Sequence, residues 1–191
     1  EYTRQKLVSA TEKTLGIVKP YFTHKVGEIL TILHENDLRV VNLKMCLLNR
    51  YEALAFYREH EGEGKEWLQD MVNRLTDAPL IAMEIMGKNA VERWRQLLGP
   101  TDPAEARQVA PNSLRARFGK DPLENAVHGS KDPESAAAET EFFFPQNGGS
   151  RAGTVKRVNS TCGIIKPHAF TEGQAGKIIS DIFSSNFNIT A

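Results

Sequence analysis

Asn125-Ala126-Val127-His128-Gly129-Ser130 reads as a short apolar strand that ends on a histidine and runs straight into a helix start. Asp132 is a suitable N-cap, Pro133 falls where the first helical residue belongs, and Glu134 and Glu139 follow. A histidine in this strand, histidine, helix setting is held by a strand yet open to a ligand. A neutral imidazole, with an unperturbed pKa near about 6.5, is a competent nucleophile at neutral pH. The competing reading is a packed, hydrogen-bonded polar residue at a strand end, because histidine is intermediate in burial.

Composition bounds what such a motif can serve. The 191 residues are 40% hydrophobic and 25% charged, which suits one full domain plus a remainder. Lys+Arg and Asp+Glu are both 24, and no polybasic or acidic run stands out. That balance argues against a protein whose main task is gripping nucleic acid, while leaving room for a local phosphate site. Cys46 and Cys162 lie far apart in apolar stretches without metal or redox spacing, as buried reduced thiols of a cytosolic-type protein do. No apolar run approaches the roughly 18 residues that span a bilayer, and the start is polar, so a soluble chain without an export signal or membrane contact is expected. A start on Glu1 rather than Met leads us to expect a piece of something longer.

In chain order, Thr14–Pro20 is a short buried strand with Lys19 at its mouth, stopped by proline. Val26, Ile29, Leu30 and Leu33 predict a helix over about Lys25 to Asn36, and Arg39–Leu47 a strand. Asn49 with Glu52 forms a capping-box pattern for a helix through Tyr57 to about His60. A helix over roughly Lys65 to Leu75 carries Trp67, Leu68, Met71, Val72 and Leu75. Leu80–Met86 is the next strand, and Asn89–Leu98 a helix closed by Gly99-Pro100. From Thr101 to Gly119 the chain reads as a long loop, of the kind that is usually functional. The order contains the βαββαβ unit of a ferredoxin-like α+β sandwich with extra helices.

The character changes at Pro145–Gly153, which is linker-like. Thr161-Cys162-Gly163-Ile164-Ile165-Lys166-Pro167 then repeats Thr14-Leu15-Gly16-Ile17-Val18-Lys19-Pro20 at five of seven positions. Ile178, Ile179, Ile182 and Phe183 follow at helical spacing, and Phe187–Ala191 begins a second strand. The expected organisation is a domain over residues 10–145, a linker over 146–160, and an incomplete second copy over 161–191. So short a piece cannot bury enough surface to fold alone, so it leans on the first domain or belongs to a longer chain.

No glycine-rich phosphate cradle is present, so phosphate binding must come from side chains: Lys19, Arg95, Thr101, Arg115 and Asn125 are the candidates. Planar arginines suit phosphate oxygens because they donate two bonds at once, and Lys19, Arg95 and Arg115 would supply a positive field. Glu139, on the following helix, can orient the His128 imidazole. Taken singly, each of these cations reads as a solvated surface charge.

Asn125-x-x-His128-Gly129-Ser130, preceded by Arg115-Ala116-Arg117-Phe118-Gly119, resembles the active-site signature of nucleoside diphosphate kinases. The resemblance covers nearly the whole chain and implies an antiparallel four-stranded sheet covered by helices. It implies that His128 carries a phosphoryl group from a nucleoside triphosphate such as ATP to a nucleoside diphosphate, by a ping-pong route through phosphohistidine. Mg²⁺ would arrive with the nucleotide, since no carboxylate cluster looks like a dedicated metal site. By the same resemblance Ser130 and Glu139 belong with His128 as catalytic residues. Lys19, Tyr57, Arg95, Thr101, Arg115 and Asn125 belong to nucleotide binding, Thr101 and Asn125 as donors to the β-phosphate and the ribose hydroxyls. The family's base-stacking phenylalanine corresponds, after about two inserted residues, to Trp67, which would tolerate many bases or could equally be core. The family's Lys-Pro-Asp reads Lys19-Pro20-Tyr21 here.

The tandem arrangement is similar to family members of cilia and flagella, associated with axonemal microtubules. That implies cytoplasmic, axonemal surroundings and tubulin or other axonemal proteins as partners. An alternative function is then a structural component of the microtubule doublet with weak or no catalysis, using the Glu61–Lys65 insertion or the Pro145–Ser160 linker as its surface. A DNA-binding or nuclease role, attributed to some relatives, is disfavoured by the neutral charge.

Overall fold

The computed structural model describes residues 11–58, 65–146, 154 and 158–190. Four strands, β1 (Glu12–Val18), β2 (Arg39–Cys46), β3 (Leu80–Gly87) and β4 (Val127–Gly129), form one antiparallel sheet in the order β2-β3-β1-β4. The βαββαβ order is completed by α1 (Val26–Glu35), between β1 and β2, and α4 (Ala90–Leu98), between β3 and β4. Between β2 and β3 lie α2 (Arg50–Phe56) and α3 (Lys65–Thr76), and α7 (Pro133–Phe143) follows β4.

Period-two alternation along the strands sorts these helices onto two faces. Leu15 and Ile17 of β1, with Leu80 and Ala82 of β3, meet a cluster formed by Ala53, Tyr57, Val72, Leu75 and Phe143, from α2, α3 and α7. Val18, Ile81, Met83 and Ile85 point the other way, to Ile29 and Leu33 of α1 and Trp94 and Leu98 of α4. β4 obeys the same alternation. Val127 pairs with Val18 and joins the α1/α4 core, whereas His128 pairs with Ile17 and faces the α2/α7 side. Register alone therefore decides which helices surround the histidine.

Local signals explain the helix ends. Asn49 accepts the Glu52 N–H at 3.0 Å, and the Glu52 carboxylate accepts the Asn49 N–H at 2.9 Å. Asp132 accepts from Ser135 N at 2.8 Å with Pro133 in the first turn. That backbone bond also lowers the pKa of the Asp132 carboxyl. α2 stops at Phe56, short of the expected end near His60; residues 59–64 lie outside those described, as do 147–153 of the linker.

Two readings are corrected. The stretch over 101–119 is not a loop throughout but holds α5 (Pro103–Val109) and α6 (Leu114–Phe118), capped by Asp102 and Ser113. Each is so short that hydrophobic periodicity has no length to declare it. Residues 161–166 and 187–190, expected as strands, have no strand conformation in the structure, because among the described residues they have no strand to pair with. α8 (Pro167–Thr171) and α9 (Ala175–Ser184) do form, and Ile179 of α9 is buried in the α1/α4 core.

Candidate active site

His128 is framed by Glu139, Ser130 and Phe56 on the α2/α7 side and by Trp94 behind its strand. Its Nε2 lies 3.0 Å from Glu139 Oε2, and the same carboxylate oxygen accepts the Ser130 hydroxyl at 2.7 Å. Ser130, fully buried, in turn accepts the N–H of Leu15 on β1 at 3.3 Å, tying α7 to the sheet through one hydroxyl. The ring of Phe56 stands edge-on to the imidazole with centroids 5.4 Å apart. Behind the strand, Trp94 Nε1 donates to the His128 carbonyl at 3.2 Å.

The backbone leading into β4 is held in an uncommon shape. Ala126 has φ of 68°, and Val127 N donates to Asn125 O at 2.8 Å, which makes a γ-turn of the rarer hand. An L-residue in this conformation is strained and persists only where its surroundings over-determine it. Here they do: Lys19 N donates to the Ala126 carbonyl at 2.9 Å, and Arg115 donates to the Val127 carbonyl through Nε at 3.4 Å and Nη2 at 3.3 Å. Gly129 fits because a Cβ there would lie 2.6 Å from Trp94 Cδ1 and Nε1 and 2.7 Å from Leu98 Cδ1. Trp94 is fully buried and cannot yield. Gly129→Ala is therefore expected to lower stability by about 1–3 kcal/mol through overpacking, measured as a fall in the denaturation midpoint with an unchanged slope.

Arg115 and Lys19 are held beside this backbone, and Arg95 lies near Arg115. Arg115, on α6, also donates through Nη1 to Gly99 O at 2.9 Å, so its guanidinium ties the α4 end to β4. Burial, and then the nearby Arg95, bring its pKa down to about 10. Lys19 is buried at the end of β1, its Nζ 3.5 Å from Leu123 O. Burial first, then repulsion from Arg115, lower the lysine pKa from the ordinary 10.5 to about 7, with Asp121 opposing. A chain that holds Arg115 within repulsive reach of Lys19 and of Arg95 is arranged for a polyanion.

The remaining expected residues are distributed around this centre. Tyr57 caps α2, is buried, and has its pKa raised by burial and then by Glu139. It lines a small cleft with Lys19, Met71, Arg74, Leu123 and Glu124. Trp67 is half-exposed on the same α3 face as Met71 and Arg74, on the turns before them. Thr101 is exposed, and its backbone carbonyl accepts Asn125 Nδ2 at 3.2 Å. The Asn125 NH₂ gives one of its two N–H groups to that carbonyl and keeps the other as a donor, while the amide oxygen Oδ1 is buried without a hydrogen-bond partner among the described residues.

Phe56, Trp94, Ala126 and Gly129 were not legible as site residues. Phe56 and Trp94 each directly precede an expected one, Tyr57 and Arg95, but an apolar aromatic in a helix announces only core. Among the described residues no three His, Cys, Asp or Glu side chains are grouped to hold a metal ion, and no helix is long and apolar enough to cross a membrane.

With this geometry in view, comparison with known proteins is direct. The family model for nucleoside diphosphate kinase matches residues 12–148, and the chain belongs to that family. Along its full length it is 43% identical to nucleoside diphosphate kinase homolog 7 of Rattus norvegicus, covering 48% of that protein. The chain thus spans about half the length of the homolog 7 proteins it matches. Among solved structures, the Aquifex aeolicus nucleoside diphosphate kinase superposes with a TM-score of 0.69 at 38% identity, over 72% of this chain and 98% of that one. The Halobacterium salinarum enzyme in complex with CDP gives 0.64 at 31% identity, over 71% and 89%. The fold is the ferredoxin-like α+β sandwich of these enzymes.

Proposed function

We propose that residues 10–145 form a nucleoside diphosphate kinase domain that moves the γ-phosphoryl group of a Mg²⁺-bound nucleoside triphosphate, ATP among them, to a nucleoside diphosphate through His128. The observation that carries this is the coupling of Lys19, Arg115 and Arg95 beside a histidine whose Nε2 is engaged by Glu139. With Nε2–H donated to the carboxylate, Nδ1 keeps its lone pair and is the nucleophile. Nδ1 forms a bond to the γ-phosphorus as the bond to the bridging oxygen breaks, and the nucleoside diphosphate departs. A second diphosphate then attacks the phosphohistidine and takes the group away.

Glu139, fixed by Ser130, orients the ring and stabilises the imidazolium character that develops. The three cations neutralise charge spread over the migrating phosphoryl oxygens. Asn125 donates to the ribose hydroxyls, Thr101 donates to the β-phosphate, Tyr57 shapes the cleft floor, and Trp67 offers its face to the base. Mg²⁺ arrives with the nucleotide. The test is to incubate the chain with γ-labelled ATP and magnesium and then add GDP. Acid-labile label that passes to GDP is expected; nucleotide binding without label would overturn the reading.

Residues 161–191 are, on this reading, the start of a second such domain, as full-length similarity to homolog 7 favours. The same similarity favours an axonemal setting, with tubulin or its associated proteins as partners. Co-sedimentation of the chain with microtubules is expected, and its absence at micromolar tubulin would remove that part of the proposal. The linker and the Glu61–Lys65 insertion, named as surfaces for it, lie largely outside the described residues.

A further inference from the structure

Each residue from Leu123 to His128 is tied to a distant part of the chain. The Leu123 carbonyl faces Lys19 Nζ, Asn125 reaches the Thr101 carbonyl, and the carbonyls of Ala126, Val127 and His128 accept from Lys19, Arg115 and Trp94. Glu124 supplies the remaining tie. Its Oε1 lies 2.6 Å from Arg74 Nη1 of α3, and its Oε2 lies 2.9 Å from Lys120 Nζ. The backbone around it is fixed as well. Asp121 Oδ1 accepts the N–H groups of Leu123 and Glu124 at 2.9 and 2.8 Å, and Lys120 N donates to the Glu124 carbonyl at 2.9 Å. With its side chain only 16% exposed, Glu124 meets Arg74 at a defined point.

Arg74 belongs to a braced unit. The Arg50 guanidinium of α2 donates to Asn73 at 3.3 Å and to Gln69, both on α3, which locks the two helices into a hairpin. That hairpin carries Phe56, Tyr57 and Trp67. Met71, Val72 and Leu75 hold α3 to the sheet by apolar contact, which is non-directional and fixes the depth of the helix rather than its place along the sheet. Direction comes from Arg74 and Glu124, whose contact joins the hairpin to the residue directly before Asn125 and the strained Ala126. An ion pair with one member half-exposed adds little to stability. What it does set is a distance.

We propose that Arg74 and Glu124 are positioning residues that set the separation between the Trp67 wall of α3 and the phosphate end of the site. The inference rests on reading the site as one for nucleotides. A nucleoside diphosphate spans both ends, with its base on α3 and its phosphates at Lys19 and Arg115. With the tie intact the two ends are already spaced for one molecule, and little ordering remains to be done on binding. Inorganic pyrophosphate meets the phosphate end alone and does not sense the spacing. The pair thus acts on recognition of the nucleoside without touching it.

The test is calorimetric binding of Mg²⁺-ADP and of Mg²⁺-pyrophosphate to the full 191-residue chain. Arg74→Met leaves Glu124 paired with Lys120, so the carboxylate is not stranded and the denaturation midpoint should stay near that of wild type. ADP is expected to bind this variant about 3–10-fold more weakly, with pyrophosphate affinity unchanged. Glu124→Gln should give the same pattern. Charge alone predicts the reverse for it, because removing a carboxylate from the cleft shared with Lys19 would tighten both ligands. The double variant should lose no more than either single one, and Arg74→Lys, which keeps the charge, should recover most of the ADP affinity. Weakening shared equally by pyrophosphate, additive losses in the double variant, or wild-type binding of ADP no tighter than pyrophosphate overturns the proposal. ADP carries no γ-phosphoryl group, so labelling of His128 by ATP is read separately, and failure of one proposal is not failure of the other.

Discussion

Replacing His128 with alanine is expected to reduce phosphoryl transfer by at least about 10⁴-fold while the chain stays folded, because on the proposed mechanism the nucleophile itself is lost. The structural cost is small. The ring is partly exposed, and Glu139 keeps its bond to Ser130, so its carboxylate is not stranded. A loss of about 1–2 kcal/mol in unfolding free energy follows from one hydrogen bond and one aromatic contact with Phe56. Steady-state transfer and a denaturation curve on one preparation check both parts. Transfer persisting in a clean His128→Ala sample would place the chemistry elsewhere.

Lys19→Met should act in opposite directions on activity and stability. On the proposed mechanism, removing one of the three cations that would meet the migrating phosphoryl is expected to slow transfer by about 10²–10³-fold. The methionine keeps the buried stem but not the charge, and is expected to stabilise the fold by about 1–3 kcal/mol at neutral pH. The pH dependence follows from the lowered lysine pKa. Between about 7 and the ordinary 10.5 the unfolded chain holds a proton that the native chain has released, so native stability rises with pH across that window. Below about 7 both states are protonated and the burial cost is felt in full, so the advantage of methionine is largest there and fades towards 10.5. A bound polyanion favours protonated Lys19, so nucleotide affinity should fall as pH rises above about 7. Calorimetry of both proteins at about pH 6 and pH 9 decides the matter: a Lys19→Met variant less stable than wild type at the lower pH would show that the lysine is not under strain.

These two residues also mark how far linear reasoning reaches. Strand β1 with Lys19 after it, the capping box at Asn49, and the Asp132-Pro133 helix start are local features whose signals lie within a few residues of each other, and each stands where the pattern placed it. α5 and α6 were missed because a helix of five or seven residues presents barely one turn of periodicity. The segments expected as strands over 161–166 and 187–190 have a strand-like composition but no partner among the described residues, and composition cannot supply one.

By itself the chain's order of residues determined the βαββαβ succession, the histidine at the strand-to-helix junction, the glycine-rich break and the partial repeat, because these depend on neighbours along the backbone. Only the tertiary structure decided which face of the sheet His128 occupies, that Arg115 lies within repulsive reach of both Lys19 and Arg95, that Trp94 and Phe56 bracket the histidine, that Asn125 ties to the Thr101 carbonyl, and that α9 lies on α1. The reason is physical. Register, burial and charge coupling are properties of groups brought together across many tens of residues, and they come into being only when the sheet closes.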